Sequence, residues 1–425
     1  MKMEEWKEFN ISDVIEEISM GPFGSNIKVD NFIDFGVPVL NGSNLQGFKL
    51  NEESFNYVSQ EKADSLGKAN AHRGDIVITH RGTLGQIVYI PENSKFEQYV
   101  ISQSQFRLKL NQSLIRPDFF VYFFHTRLGQ HRILMNASQV GVPALARPTS
   151  TFKKVSVPVP PIEIQNKVMA ILNSIDDKIA VNRRICENLE AQAQALFKHW
   201  FIDFAPFLDK PSGKAERKNG QFVESELGMI PEGWRVGRLD ELGDIVGGAT
   251  PSKAEDSYYT SKGIAWLTPK DLSNKLSKFT SRGEIDLTQE GYNSCSAKLM
   301  PKGSVLFSSR APIGYLTIAK NDICTNQGFK SVVPKYAGTA YIYYLLKTNT
   351  KRIESMSSGT TFKEASGSLM KSLAVIIPPK SIIDNYEASV VEIFKEQEVI
   401  EDESTRLSTL RDTLLPKLMS GQIKV

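Results

Sequence analysis

Cysteine is scarce in this 425-residue chain: Cys186, Cys295 and Cys324 are scattered, odd in number and never arranged as CxxC. That excludes a disulfide framework and suits a reducing compartment, so a cytoplasmic location is expected. Histidine is equally thin, with five residues and none at metal-ligand spacing. His125 and His131 come closest, and their separation keeps them off one helical face. No stretch approaches the ~20 apolar residues of a membrane helix. The opening MKMEEWKEFN lacks the apolar run of a signal peptide. A strong charge bias is also missing: 51 Lys and Arg stand against 48 Asp and Glu, a net charge of +3. A histone-like cationic coat is therefore excluded, whereas reading nucleic acid through local faces is not.

The common catalytic patterns are absent too. No GxxxxGK[ST] phosphate loop exists, which argues against a motor ATPase. An adenine methyltransferase needs Asn or Asp before a Pro-Pro-aromatic unit. Here Pro160-Pro161 lie between Val159 and Ile162, and Pro378-Pro379 between Ile377 and Lys380. Asp118 follows Pro117 without the spaced carboxylates and lysine of a metal nuclease, and reads as a helix start. His199 reads as a helix-surface residue. The residues offer no active site.

What the chain does have is a repeat. Hydrophobic residues make up 41% of it, ample for two to four folding units. Trp6 recurs as Trp234; Gly74, Arg81 and Gly85 recur at one common spacing as Gly303, Arg310 and Gly314. Gln103 matches Gln327, Gly141 matches Gly359, and Pro160 matches Pro378. The offset drifts slowly, as in two copies that differ by short loop insertions. Each copy runs in the same order: an apolar strand following a turn (RGDIVITHRGTLGQIVYI; PKGSVLFSSRAPIGYLTIA), an aromatic helix (RPDFFVYFFHTRLGQ; TAYIYYLLKTNTKRI), a glycine loop, then the proline pair.

After each proline pair a long helix is expected, because proline suits a first turn whose N–H groups lack partners. In the first, Ile164, Val168, Ile171, Ile175, Ile179, Ile185, Leu189, Ala193, Leu196 and Trp200 keep coiled-coil spacing for about five heptads, with Asn182 as a register-fixing polar residue. At ~1.5 Å per residue such a helix is roughly 60 Å long. The second shows Ile383, Tyr386, Val390, Ile393, Ile400, Leu407, Leu414 and Leu418. The simplest arrangement packs the two against each other, antiparallel, as a spacer between two heads; the alternative is that each merely caps its own domain. The expected fold is mixed α/β (α+β), a pseudo-two-fold repeat of two globular domains separated by two long coiled-coil helices. The boundaries are a first domain at 1–160, a central helix at 161–208, a linker at 209–233, a second domain at 234–379 and a distal helix at 380–425.

Two related readers at fixed separation suit a bipartite DNA site, with half-sites about one helical turn, ~34 Å, apart. Reading bases takes Arg or Lys for guanine, Asn or Gln for adenine, and Ser or Thr as flexible partners. The loops of the first half supply Ser25, Asn26, Asn41, Asn44, His80, Arg81, Gln103, Gln105, Gln139 and Arg147. Those of the second supply Ser252, Lys253, Lys270, Ser309, Arg310, Asn326, Gln327, Thr360, Thr361 and Lys363. Arg81 and Arg310 stand out, since each follows a strand at an equivalent point and precedes a glycine turn. Arg147 and Lys363, after equivalent glycine loops, suit phosphate. Polar glycine-rich loops are also ordinary turns, and either arginine can be consumed by a salt bridge.

The chain resembles the specificity subunit of Type I restriction-modification systems along nearly its whole length. PPIEIQNKVMAILNSIDDKI resembles the opening of that family's central region, NLEAQAQALFKHWFIDF with ESELGMIPEGW its passage into the second domain, and LSTLRDTLLPKLMSGQI its carboxyl end. PPKSIIDNYEA departs from the pattern in lacking the glutamine present at Gln165. The resemblance implies two target recognition domains, each reading half of an asymmetric sequence in double-stranded DNA. It implies helices that also dock modification (methyltransferase) subunits, two being expected, and restriction subunits that translocate and cleave. S-adenosylmethionine, Mg and ATP would sit on those partners and none on this chain, which would carry no catalysis. Gln165, Lys198, Trp200 and Phe201 are the candidate partner contacts; for the aromatic helix end FKHWFIDF the alternative is buried packing against the following domain. The rival readings are a scaffold whose heads bind proteins and a self-contained enzyme.

Overall fold

The computed structural model of the chain describes residues 6–24, 26–135, 137–138, 142–207, 222–273, 277–310, 312–359 and 363–425. They form two compact units, Met1–Ile179 with Arg406–Val425, and Ala180–Thr405.

The repeat predicted from paired glycines and arginines is a repeat of strand order. In the first unit a four-stranded sheet runs Ile15–Met20, Gln105–Leu110, Ile76–Thr79, Ile87–Tyr89. In the second, Gly243–Gly247, Lys330–Pro334, Val305–Ser309 and Ile313–Ala319 follow the same order, with Phe279–Thr280 added at the edge. Lys7–Asn10 pairs antiparallel with Ser156–Val159, and Arg235–Arg238 does the same with Ala374–Ile377. These last pairs tie the beginning of each repeat to the strand that leads into its proline pair. The first unit adds a five-stranded sheet with Val37–Val39 parallel to Gln98–Val100 at its centre; Trp266–Leu267 parallel to Cys324–Thr325 is its reduced counterpart.

Both long helices begin at the prolines. Ile162–Phe201 and Lys380–Met419 are 40 residues each. The carbonyls of Pro161 and Pro379 accept the first helical bonds, from Gln165 and Ile383. Within each unit the helix segments run antiparallel. In the first, Asp176 meets Arg411 at 2.8 Å, and Val168, Met169 and Leu172 share a core with Leu415, Leu418 and Met419. In the second, Asn182 donates to Glu403 at 2.7 Å, and Phe201 stacks edge-on to Tyr386 at 4.9 Å.

Three expectations are corrected. The rods are not separate domains: each unit builds its helix segments into its own core. In the first, that core includes the aromatic run Phe119–Phe124, and in the second Tyr341–Leu346. Burying such a side chain contributes about 1.5–3 kcal/mol, so the aromatic helices compete successfully for the seam. Second, Ile171 and Ile185 are exposed while Met169 and Leu172 are buried; a straight helix drifts off a strict heptad, and the buried stripe follows the 3.6-residue period. Third, residues 222–231 of the expected linker form a hairpin, Phe222–Ser225 with Gly228–Pro231, whose Phe222 and Ile230 are buried. The aromatic run of the first copy also breaks in two, Pro117–His125 and Arg127–Leu134, because Thr126 turns its hydroxyl to cap the second helix at Gly129.

Candidate nucleic-acid interface

In each unit the polar loops that are far apart in sequence converge at one end of the main sheet. In the first, the strand Ile76–Thr79 runs into His80 and Arg81. His80 N–H donates to the Ser104 carbonyl at 2.8 Å, the His80 carbonyl accepts from Leu145, and Gly82 N–H reaches Pro143 at 2.9 Å. Gln86 Nε2 donates to Gly42 at 3.1 Å, bringing in the 41–44 loop. In the second, Ser309 N–H donates to Gly328 at 2.7 Å, Ala365 N–H to Ser309, Ala249 N–H to Thr325 and Asn326 N–H to Leu267. With the 21–26 loop of the first unit, whose Gly21 N–H donates to the Gln105 carbonyl at 2.9 Å, five loops meet in each case.

The glycines that open the two clusters have one physical reason. A Cβ on Gly21 would lie 2.0 Å from the Ser102 carbonyl oxygen, and one on Gly248 would lie 2.1 Å from that of Asn326. The crossing of these loops leaves no room for a side chain.

The loop candidates sort by exposure. Asn26, Asn41, Arg81, Gln103, Arg147, Ser252, Lys253, Lys270, Gln327 and Lys363 are exposed. Arg81, Arg147, Lys253 and Lys363 make no ion pair among the described residues, so their charge is available. Lys270 is paired with Glu284 at 3.4 Å, a fully solvated bond of little strength. Arg310 is half-buried and reaches Glu364 at 3.7 Å; Lys330 approaches the same carboxylate at 3.4 Å. The two equivalent arginines therefore differ: Arg81 is free and Arg310 is held. Thr250 donates its hydroxyl to Gln327, and Asn326 accepts from Gly328 N–H at 2.8 Å. Burial pushes the His80 imidazole below its ordinary pKa, so it stays neutral and donates from Nε2 to the Gln103 carbonyl at 3.1 Å.

Other candidates are withdrawn by burial. Asn44 is an internal clamp, its amide donating to the carbonyls of Asn51 and Ser54 and accepting from Asn41 N–H. Gln105 lies wholly inside, accepting from Ser102 N–H. Ser309 is buried on its strand. Ser25, Gln139, Thr360 and Thr361 lie outside the described residues. Two further residues that bear on the candidate loops escaped the sequence reading. Glu364 is one, and Lys154, exposed and without an ion pair among the described residues, is the other; a lysine two residues before an apolar strand looks like ordinary solvated surface.

The partner candidates change more. Gln165 is buried and spans three backbone groups, donating to Leu114 and Pro160 at 2.8 Å each and accepting from Arg116 N–H at 2.9 Å. The matching position of the second copy is the buried Ile383, and there Glu387 accepts from the N–H groups of Ala340 and Tyr341 instead. Phe201 is buried against Trp234, Tyr341 and Tyr386, and Trp200 is half-buried on Tyr386. Lys198 is exposed and paired with Asp203. The aromatic helix end is thus core, because the hairpin 222–231 and the helix Thr339–Met356 cover it.

No group of three His, Cys, Asp or Glu side chains able to hold a metal occurs among the described residues. No helix there is long and apolar enough to cross a membrane. Burial raises the Cys186 thiol to about 11 and Cys324 to about 12, so neither is a thiolate near neutral pH.

A duplicated frame with divergent polar loops is matched by one family model, the Type I restriction modification DNA specificity domain, over residues 3–191 and 231–407. The chain belongs to this family. The HindI specificity subunit of Haemophilus influenzae is 26% identical over 479 residues, covering 99% of this chain and 100% of that one. The MjaIX specificity subunit of Methanocaldococcus jannaschii is 42% identical over 161 residues, 37% of either chain. In three dimensions the crystal structure of a Type I restriction-modification S subunit from M. genitalium shares the fold, with a TM-score of 0.58 at 14% identity over 98% of both chains. A specificity subunit recognises DNA sequence and is not itself catalytic, which agrees with the sequence's lack of catalytic motifs.

Proposed function

We propose that this chain reads an asymmetric, bipartite DNA sequence, one half-site per loop cluster, and so directs adenine methylation and DNA cleavage by partner subunits. One observation carries the reading: the same strand order delivers five loops to the same end of each sheet, yet the loops present different side chains. Identical readers would suit a palindrome. Here Arg81 makes no ion pair among the described residues while Arg310 is tied to Glu364, and Asn41 has no counterpart of the same chemistry, so each cluster suits its own sequence.

Two modification subunits would dock on the outer faces of the long helices. Ile171, Val181, Ile185, Val391, Val399 and Leu410 are apolar and exposed there, the kind of surface that a partner covers. Lys198, exposed in the last turn of the first long helix, stays a candidate contact. S-adenosylmethionine would be held by the modification subunits, and Mg and ATP by the subunits that cut and translocate. The deciding experiment pairs the chain with its methyltransferase subunit and maps adenine methylation across a sequenced genome. A single split motif, absent when the chain is omitted, is the expected result. Methylation unchanged by the chain, or a stable complex with no methylation, would favour a scaffold.

A further inference from the structure

The duplicated frame repeats one arginine nearly atom for atom. Arg132, between His131 and Ile133, donates from Nη1 to the Ser156 carbonyl at 2.8 Å. Arg352, between Lys351 and Ile353, donates from Nη1 to the Ala374 carbonyl at 2.9 Å. Each guanidinium helps line a cleft. The clefts have diverged. The second is walled by Phe197, Phe201, Phe204 and Trp234. The first is walled by Arg147, Ser150, Thr151 and Lys154.

Two of the cations of the first cleft, Arg147 and Lys154, are specific to that repeat. Arg147 caps the short helix Pro148–Phe152; the capping residue of the matching helix Gly367–Ser372 is Ser366. Lys154, two residues before its strand, is matched by Ser372. Arg132 is partly neutralised by Glu8 at 3.3 Å and lies on the Phe123 ring. Arg147 and Lys154 make no ion pair among the described residues, and both are exposed, which leaves the cleft with uncompensated positive charge. Arg147 holds φ at 46°, one of two non-glycine residues in the left-handed region among those described. That conformation is unfavourable for a side chain with a Cβ and persists where the surroundings impose it. It sits two residues from Leu145, whose N–H binds the His80 carbonyl in the loop cluster.

We infer that this cleft, resting on the DNA reading above, takes a backbone phosphate of the bound DNA beside the first half-site. A phosphodiester is accepted by the two free cations and by the Ser150 hydroxyl as donor. Thr151 already gives its proton to the Ala146 carbonyl at 2.7 Å and shapes the wall instead.

The test uses the full chain in complex with its methyltransferase subunits and measures DNA affinity against KCl concentration. The double variant Arg147→Gln/Lys154→Gln is expected to flatten the slope of log affinity against log salt by about 0.9 for each phosphate that the protein no longer neutralises. It should weaken specific and non-specific duplexes by similar factors. Arg147→Lys, which keeps the charge, should retain the slope, and unchanged melting of the double variant shows that it folds. Neutral methylphosphonate linkages scanned along the duplex should weaken the wild type at a position beside the first half-site and leave the double variant indifferent there. An unchanged slope overturns the inference, as does loss of the methyltransferase subunit from the variant complex, which would make the cleft a protein contact. A wild-type complex with no salt-dependent DNA affinity would instead sink the DNA reading itself.

Discussion

Glu190→Ala should be among the most damaging single substitutions in the second unit, because of what it strands. Lys278 is almost fully enclosed, its side chain 2% exposed. Its ammonium lies 2.5 Å from Glu190, donates to Tyr344 Oη at 3.0 Å and Gln397 Oε1 at 3.1 Å, and sits 3.9 Å above the Phe394 ring. Removing the carboxylate leaves a buried cation with two neutral acceptors, a change that costs about 3–5 kcal/mol. Lys278→Met should cost less. Glu190 then keeps Lys347 at 2.5 Å and Tyr344, and is itself 22% exposed. Replacing both, as Glu190→Leu/Lys278→Met, should recover most of the loss, since a packed apolar pair of similar volume is often no worse than a buried ion pair. The assay is urea unfolding followed by tryptophan fluorescence; Trp200, Trp234 and Trp266 all lie in this unit, against Trp6 in the other. pH supplies a second reading. Burial alone would raise the Glu190 pKa, but the ammonium groups of Lys278 and Lys347 outweigh it and hold the carboxyl below its ordinary 4.5. Its contribution is therefore complete above pH 4.5 and is lost as pH falls through the lowered folded value. The gap between wild type and Glu190→Ala should close in that acid window. A loss below about 1 kcal/mol at neutral pH, or a double variant as unstable as the two losses added together, would refute the reasoning.

Other outcomes test the remaining assignments. Gln165→Leu should destabilise the first unit by about 1–3 kcal/mol, because two buried carbonyls and an N–H lose their partner; binding of the methyltransferase subunit, measured well below the melting temperature, should be unchanged. Arg81→Ala should weaken binding of the cognate duplex by about 1–3 kcal/mol and relax preference at one base pair. Arg310→Ala should cost less, since Glu364 must release that arginine first; fluorescence anisotropy with half-site variants separates the two. DNA affinity should be flat between about pH 7 and 8, since burial holds the His80 imidazole below its ordinary 6.5 and it is neutral there; a rise in affinity on acidification across that range that His80→Gln abolishes would contradict this.

The features of the fold and of the candidate DNA-reading loops differ greatly in legibility. The order of parts, the repeat and the helix starts were readable in residues: glycines at turns that need them, paired prolines ahead of the first helical turn, and apolar runs between. Local rules govern these, so a single sequence carries them. The seam was read in the right helices but slipped by a residue at Ile171 and Ile185, because choosing between 3.5 and 3.6 residues per repeat takes knowledge of what each face meets.

Site chemistry divided along the same line. Exposed polar loops were identified from composition, and Arg81, Gln103, Arg147, Lys253 and Lys363 do reach the surface. Asn44, Gln105 and Gln165 have the same side-chain chemistry and are inside, because an amide satisfies orphan backbone groups as well as it reads a base. By itself the sequence determined a two-fold repeat, its helices and its family. Only the tertiary structure decided which amides hold the fold and which face solvent, that Phe201 is core and Lys154 is surface, and that Arg310 is paired where Arg81 is free. The reason is physical: propensity and pattern act between neighbours in the chain, whereas burial and charge compensation depend on residues that meet only after folding.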